Sequence, residues 1–137
     1  MIIIGLTGSI AMGKSTTAQM FKKMHIPVYD ADKTVHDLFQ KGGEAVDKIA
    51  CAFPSSVIKG AVDRTKLSAI VFNDPNKLKT LEKIVHPLVN LRRCEFLLKQ
   101  RRQKSKIVVL DVPLFFETKK TYSCDYIFVT SAPRFLQ

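Results

Sequence analysis

The chain has 137 residues, 22 Lys and Arg against 12 Asp and Glu, a net charge of +10, and 46% hydrophobic residues. That length holds one domain with room for a small insertion, and the apolar fraction excludes a disordered tail protein. The longest apolar runs, Met1–Ile4, Ile107–Leu110 and Val112–Phe116, fall well short of the roughly 20 residues that span a bilayer, so no membrane segment is expected.

The first residues carry no basic group ahead of their apolar part, which makes a poor signal peptide and points to a cytoplasmic chain. Cys51, Cys94 and Cys124 are widely spaced and contain no C-x-x-C pattern, so they are expected to be reduced thiols packed as small hydrophobes. The positive balance favours polyanionic partners: nucleic acid, an anionic membrane surface or phosphorylated small molecules. The dense basic run Arg101–Lys106 reads as a solvated helix end, where cations complement the negative pole of the helix dipole.

In chain order, Ile2–Thr7 is β-branched and apolar on both faces, the composition of a strand buried on both sides of a parallel sheet. A glycine turn at Gly8–Gly13 leads into a helix from Ser15 to Met24, with Ala18, Phe21 and Met24 at helical spacing and His25-Ile26-Pro27 ending it. Pro27-Val28-Tyr29 reads as a short second strand that closes at Asp30-Ala31-Asp32. From Lys33 to about Ser105 no strand is expected. Helical patterns occupy Val35/Leu38/Phe39, Ala45–Phe53, Lys66–Phe72 and Leu78/Leu81/Ile84/Val85, with a turn at Asn73–Asn76. Pro87 disfavours helical geometry at His86, so a break or kink is expected there, followed by a helix to about Lys104. Strands resume at Ile107–Asp111 and Tyr126–Thr130. The layout predicts an α/β fold with a mainly parallel sheet, in which 1–32 and 106–137 form the core and 33–105 is a helical insertion.

Gly8-Ser9-Ile10-Ala11-Met12-Gly13-Lys14-Ser15 matches G-x-x-x-x-G-K-[ST] at every defined position. Backbone N–H groups of such a loop curl around a polyphosphate, which side chains at Gly8 and Gly13 would obstruct. Lys14 then reaches the β- and γ-phosphates, Ser15 ligates Mg²⁺, and the helix directs its positive end at the anion. Asp111, at the end of the apolar strand Ile107–Leu110, suits either a strand-end cap or the Mg²⁺-holding acid of a strand beside the loop. Asp30 and Asp32 end the second strand at the edge where open α/β sheets bind ligands. Each can cap the following helix, or accept the proton of a hydroxyl that is being phosphorylated. His86 can cap the long helix or contact substrate, and Arg64 can pair with Asp63 or bind an anion.

Together these segments resemble the dephospho-CoA kinase family. The matching pieces are Gly5–Thr16 (GLTGSIAMGKST), Ile26–Asp32 (IPVYDAD), Asp63-Arg64 with Leu67 and Val71-Phe72, Leu81–Pro87 (LEKIVHP), Val109–Glu117 (VLDVPLFFE) and Asp125–Gln137. The P-loop is widely shared, whereas D-A-D, H-P and D-x-P-L-x-x-E together are specific. The resemblance implies a three-layer P-loop NTPase fold and transfer of the ATP γ-phosphate to the ribose 3′-hydroxyl of dephospho-CoA. It implies that Ala11, Met12, Gly13, Lys14, Ser15 and Thr16 hold ATP and that Asp32 is the general base. Asp111 then sits near the metal, and the insertion binds the acceptor. Asp30, Arg64, His86 and the loop bearing Pro113, Leu114 and Glu117 lie on the dephospho-CoA side. In the family the segment ending here at Gln137 continues into an arginine-bearing lid and a last strand. The expectation is therefore a chain without lid and last strand, in which Tyr126–Thr130 is left as a sheet edge. Two other readings fit the same residues: a different small-molecule P-loop kinase, and an ATP-binding module impaired in catalysis. Nucleic-acid binding is disfavoured by the lack of a clustered basic face or an aromatic stacking platform.

Overall fold

A computed structural model of the chain describes residues 1–8, 14–112 and 124–130. In chain order its elements are β1 (Ile2–Gly8), α1 (Lys14–Lys23), β2 (Val28–Asp30), α2 (Ala31–Phe39), α3 (Val46–Ala52), β3 (Val57–Ile58), β4 (Ala61–Val62), α4 (Arg64–Val71), α5 (Pro75–Arg102), β5 (Ile107–Asp111) and β6 (Tyr126–Thr130). They fall into two compact units, one of residues 1–32 with 93–137 and one of residues 33–92. The second boundary lies inside α5 at Arg92–Arg93, whereas the sequence pattern suggests a boundary after Ser105.

The first unit is built on a four-stranded sheet in the order β2-β5-β1-β6, parallel throughout. Val108, Val109 and Leu110 are consecutive and all buried, so both faces of the central strand β5 are covered. Leu6 and Val109 on one face pack with Ala18, and Ile4, Phe21, Ile26 and Val28 surround them. On the other face Tyr29 meets Phe96 at 5.5 Å between ring centroids, and Leu97 and Leu98 of α5 line a groove with Ile3 and Leu110. The unit is therefore three-layered, with α1 and the end of α5 on opposite faces of the sheet. That is why the last turns of α5 belong to this unit. Among the described residues β6 is an edge strand paired only with β1. Its Tyr126, Ile127 and Phe128 are 62%, 66% and 49% exposed, although Phe128 stacks on Phe21 at 5.9 Å.

α1 ends in a Schellman turn, with His25 N–H donating to Lys22 O and Ile26 N–H to Phe21 O. The same motif closes α5 within the basic run: Lys104 N–H donates to Arg101 O and Ser105 N–H to Gln100 O.

In the second unit, the expectation that no strand lies between 33 and 105 is corrected by an antiparallel hairpin of β3 and β4. Its two-residue turn, Lys59-Gly60, has φ of +52° and +81°, the positive pair that a type I′ connection requires. The strands are two residues long, too short to show alternation. The expected break at Pro87 is also absent as a termination: α5 runs through it for 28 residues. An interior proline forfeits one backbone hydrogen bond and costs about 3 kcal/mol. Val85, Leu88 and Val89 beside it are only 6%, 9% and 3% exposed, and burial of about 1.5–3 kcal/mol for each such side chain offsets that loss. α5 starts instead at Asp74, whose Oδ1 accepts the N–H groups of Asn76 and Lys77, with Pro75 in the first helical position. The cysteine expectation is corrected in part: all three are free, but Cys51 and Cys94 are exposed, and only Cys124 is partly packed. No helix among the described residues is long and apolar enough to cross a membrane.

Candidate active site

In the first unit, chain connections reverse direction at β1 and β5. β1 leads across β5 to β2, whereas β6 lies on the far side of β1. The crevice at the carboxyl ends of two such strands is where open α/β sheets hold ligands. Gly8 closes β1 there with φ of +134°, a conformation open to glycine and to few L side chains. The helix α1 begins again at Lys14. The motif positions between them, including Ala11, Met12 and Gly13, lie outside the described residues, as do the side chains of Lys14 and Ser15. Thr16 is exposed on the first turn of α1.

Three carboxylates gather at the same edge. Asp111 is the last residue of β5, in register with Leu6 of β1 on one side and with Asp30, the last residue of β2, on the other. Neighbouring strands lie about 4.8 Å apart, so Asp30 and Asp111 are neighbours across the ladder. Both residues are half-buried, and the Oδ1 atom of Asp111 is buried. Asp32 stands within the first turn of α2, where the positive end of the helix dipole favours an anion. Asp30 directly precedes α2 and so takes the cap position that the sequence left open between the two acids. Among the described residues no three His, Cys, Asp or Glu side chains cluster as a metal cage.

Arg64 and His86 belong to the second unit. Arg64 is the first residue of α4 and does not pair with Asp63, whose Oδ1 accepts the Lys66 N–H at 3.1 Å as the helix cap. Its guanidinium lies over the Phe39 ring, 5.7 Å from the centroid, a contact between residues remote in sequence that no motif signals. His86 is half-buried in the interior of α5, so the helix-cap reading of it is corrected; Asp74 holds that position. Pro113, Leu114 and Glu117 lie outside the described residues.

Over residues 2–137 the sequence matches the family model for dephospho-CoA kinase. The chain belongs to the dephospho-CoA kinase family. It is 56% identical over 137 residues to a dephospho-CoA kinase of Paramagnetospirillum magneticum, covering all of this chain and 65% of that protein. With the dephospho-CoA kinase of Bartonella quintana the identity is 53%, over all of this chain and 70% of that one. Among solved structures, a protein from Thermus thermophilus is similar with a TM-score of 0.78 and 34% identity, covering 96% of this chain and 66% of that one. A dephospho-CoA kinase from Campylobacter jejuni is similar with a TM-score of 0.74 and 26% identity, over 93% of this chain and 64% of that one. The chain thus spans about two thirds of the length of these proteins.

Proposed function

We propose that the chain carries out, in the cytoplasm, ATP-dependent phosphorylation of the ribose 3′-hydroxyl of dephospho-CoA, giving coenzyme A and ADP. The observation that carries this reading is the convergence of Gly8, Asp30, Asp111 and the Asp32-bearing start of α2 on one sheet edge, in a chain of this family. Two polyanionic substrates suit a chain of net charge +10.

Phosphoryl transfer asks a protein for position and charge more than for covalent chemistry. The P-loop motif assigns phosphate binding to its backbone and to Lys14, with the start of α1 contributing its positive end. Asp32 serves as the base: its carboxylate accepts the proton of the ribose hydroxyl as the phosphoryl group arrives. Asp30, Arg64 and His86, with Pro113, Leu114 and Glu117, serve the acceptor. Asp111 and Ser15 would hold Mg²⁺, since a carboxylate and a hydroxyl suit a hard divalent cation that commonly takes only one or two protein oxygens beside substrate phosphates. When bound, Mg²⁺ would neutralise charge on the phosphate oxygens.

The test is coenzyme A formation from dephospho-CoA and Mg·ATP. Asp32→Asn is expected to lower kcat by roughly 10²–10⁴ with the KM for ATP little changed, and Lys14→Ala to abolish turnover. Normal turnover by Asp32→Asn together with a dead Asp30→Asn would move the base to Asp30. Phosphorylation of a nucleoside or sugar but not of dephospho-CoA would overturn the acceptor assignment.

A further inference from the structure

Arg64 sits at the start of α4 with its side chain exposed and its neighbour Asp63 already committed to the Lys66 N–H. The guanidinium lies over the Phe39 ring at 5.7 Å. Phe39 is the last residue of α2 and only 7% exposed, so packing fixes the ring before anything binds. A cation over an aromatic face is attracted by the ring quadrupole. The ring competes for none of the five in-plane N–H donors, which stay available to a second, anionic partner. A flexible arginine would otherwise lose rotamer freedom when it closes on a phosphate, and the ring removes part of that cost in advance.

We infer that Phe39 is a positioning residue for acceptor binding: its ring holds the Arg64 guanidinium ready for a phosphate group of the acceptor nucleotide. This rests on the assignment of Arg64 to the acceptor made above.

Calorimetric titration of the full chain with dephospho-CoA, and separately with ATP, tests the role. Phe39→Leu keeps an apolar side chain and removes the ring. It is expected to weaken dephospho-CoA binding by about two- to fivefold, the factor a partly exposed cation–π contact supports, and to leave ATP binding unchanged. Phe39→Tyr, which keeps the ring, should restore affinity. In an Arg64→Ala background, Phe39→Leu should cause no further loss, which a purely structural role for the ring would not produce. An independent signature comes from the free chain, where ring current should shift the Arg64 side-chain protons upfield in the NMR spectrum, and Phe39→Leu should abolish the shift. If Phe39→Leu does not fold, the unaltered chain decides through that signature: upfield-shifted Arg64 side-chain protons that stay shifted when dephospho-CoA binds support the inference, and Arg64 protons at unstacked positions in the free chain overturn it. Full affinity in folded Phe39→Leu, or an equal loss with and without Arg64, also overturns it. Failure of the unaltered chain to bind dephospho-CoA overturns both this inference and the proposed function, whereas binding indifferent to Phe39 overturns only the positioning role.

Discussion

Gly42 and Gly43 stand side by side in the turn after α2, and a single alanine at each should have very different effects. At Gly42 φ is +82°, and a Cβ would meet no atom within 4 Å, so only the left-handed backbone favours glycine. At Gly43 a Cβ would lie 2.1 Å from the Leu38 carbonyl oxygen, 2.5 Å from its carbon and 2.8 Å from the Asp37 oxygen. All three are backbone atoms of a packed helix and cannot swing aside, so the turn itself must retreat by roughly 1 Å. The turn is held by Gly43 N–H donating to Gln40 O at 2.7 Å and Ala45 N–H donating to Leu38 O at 3.3 Å, and that retreat disrupts both bonds. Two hydrogen bonds at about 1 kcal/mol each, with about 1–3 kcal/mol of overpacking, predict a loss of about 3–5 kcal/mol for Gly43→Ala. Gly42→Ala should cost about 1 kcal/mol, and Gly42→Asn less, because asparagine tolerates the left-handed region. Urea unfolding followed by circular dichroism measures both, with a denaturant slope of about 1–3 kcal/mol/M turning the Gly43→Ala loss into a midpoint shift of one or more molar. A Gly43→Ala midpoint within experimental error of the unaltered chain, or a larger shift for Gly42→Ala, would refute the close-approach argument.

Two further outcomes follow from the same geometry. Lys104 holds φ of +58° at the left-handed position of the α5 Schellman turn, so Lys104→Gly should raise stability by about 0.5–1 kcal/mol in urea unfolding; no gain would mean that the backbone there carries no strain. Burial pushes the Cys124 thiol pKa up, Arg93 opposing this and Asp125 adding to it, so iodoacetamide at pH 8 should modify exposed Cys51 and Cys94 well before Cys124, as read by mass spectrometry. Because the folded pKa lies above the unfolded one, this thiol's contribution to stability is intact below the unfolded value and is lost as pH rises through the folded one. Equal alkylation of all three cysteines at pH 8 would contradict the burial.

Much of the candidate site was readable from local pattern. A strand followed by the consecutive motif G-x-x-x-x-G-K-S and a helical pattern announces a phosphate loop, because the chemistry needs those residues at that spacing. Asp30, Asp32 and Asp111 were likewise readable as acids at strand or helix ends. Their spacing in the fold was not, since Asp30 meets Asp111 only through the register of β2 on β5.

The sequence by itself determined the β-loop-α opening, the parallel α/β class, the family and the acids of the sheet edge, because each depends on residues adjacent in the chain or on composition. Only the tertiary structure decided that α5 continues through Pro87, that Lys59-Gly60 closes a hairpin, that α5 is shared between the two units and that Arg64 rests on Phe39. In each case the outcome turns on what a segment packs against. Burial beside Pro87 outweighs one lost hydrogen bond, and an aromatic face claims a guanidinium that its neighbouring carboxylate, occupied with a helix cap, leaves alone.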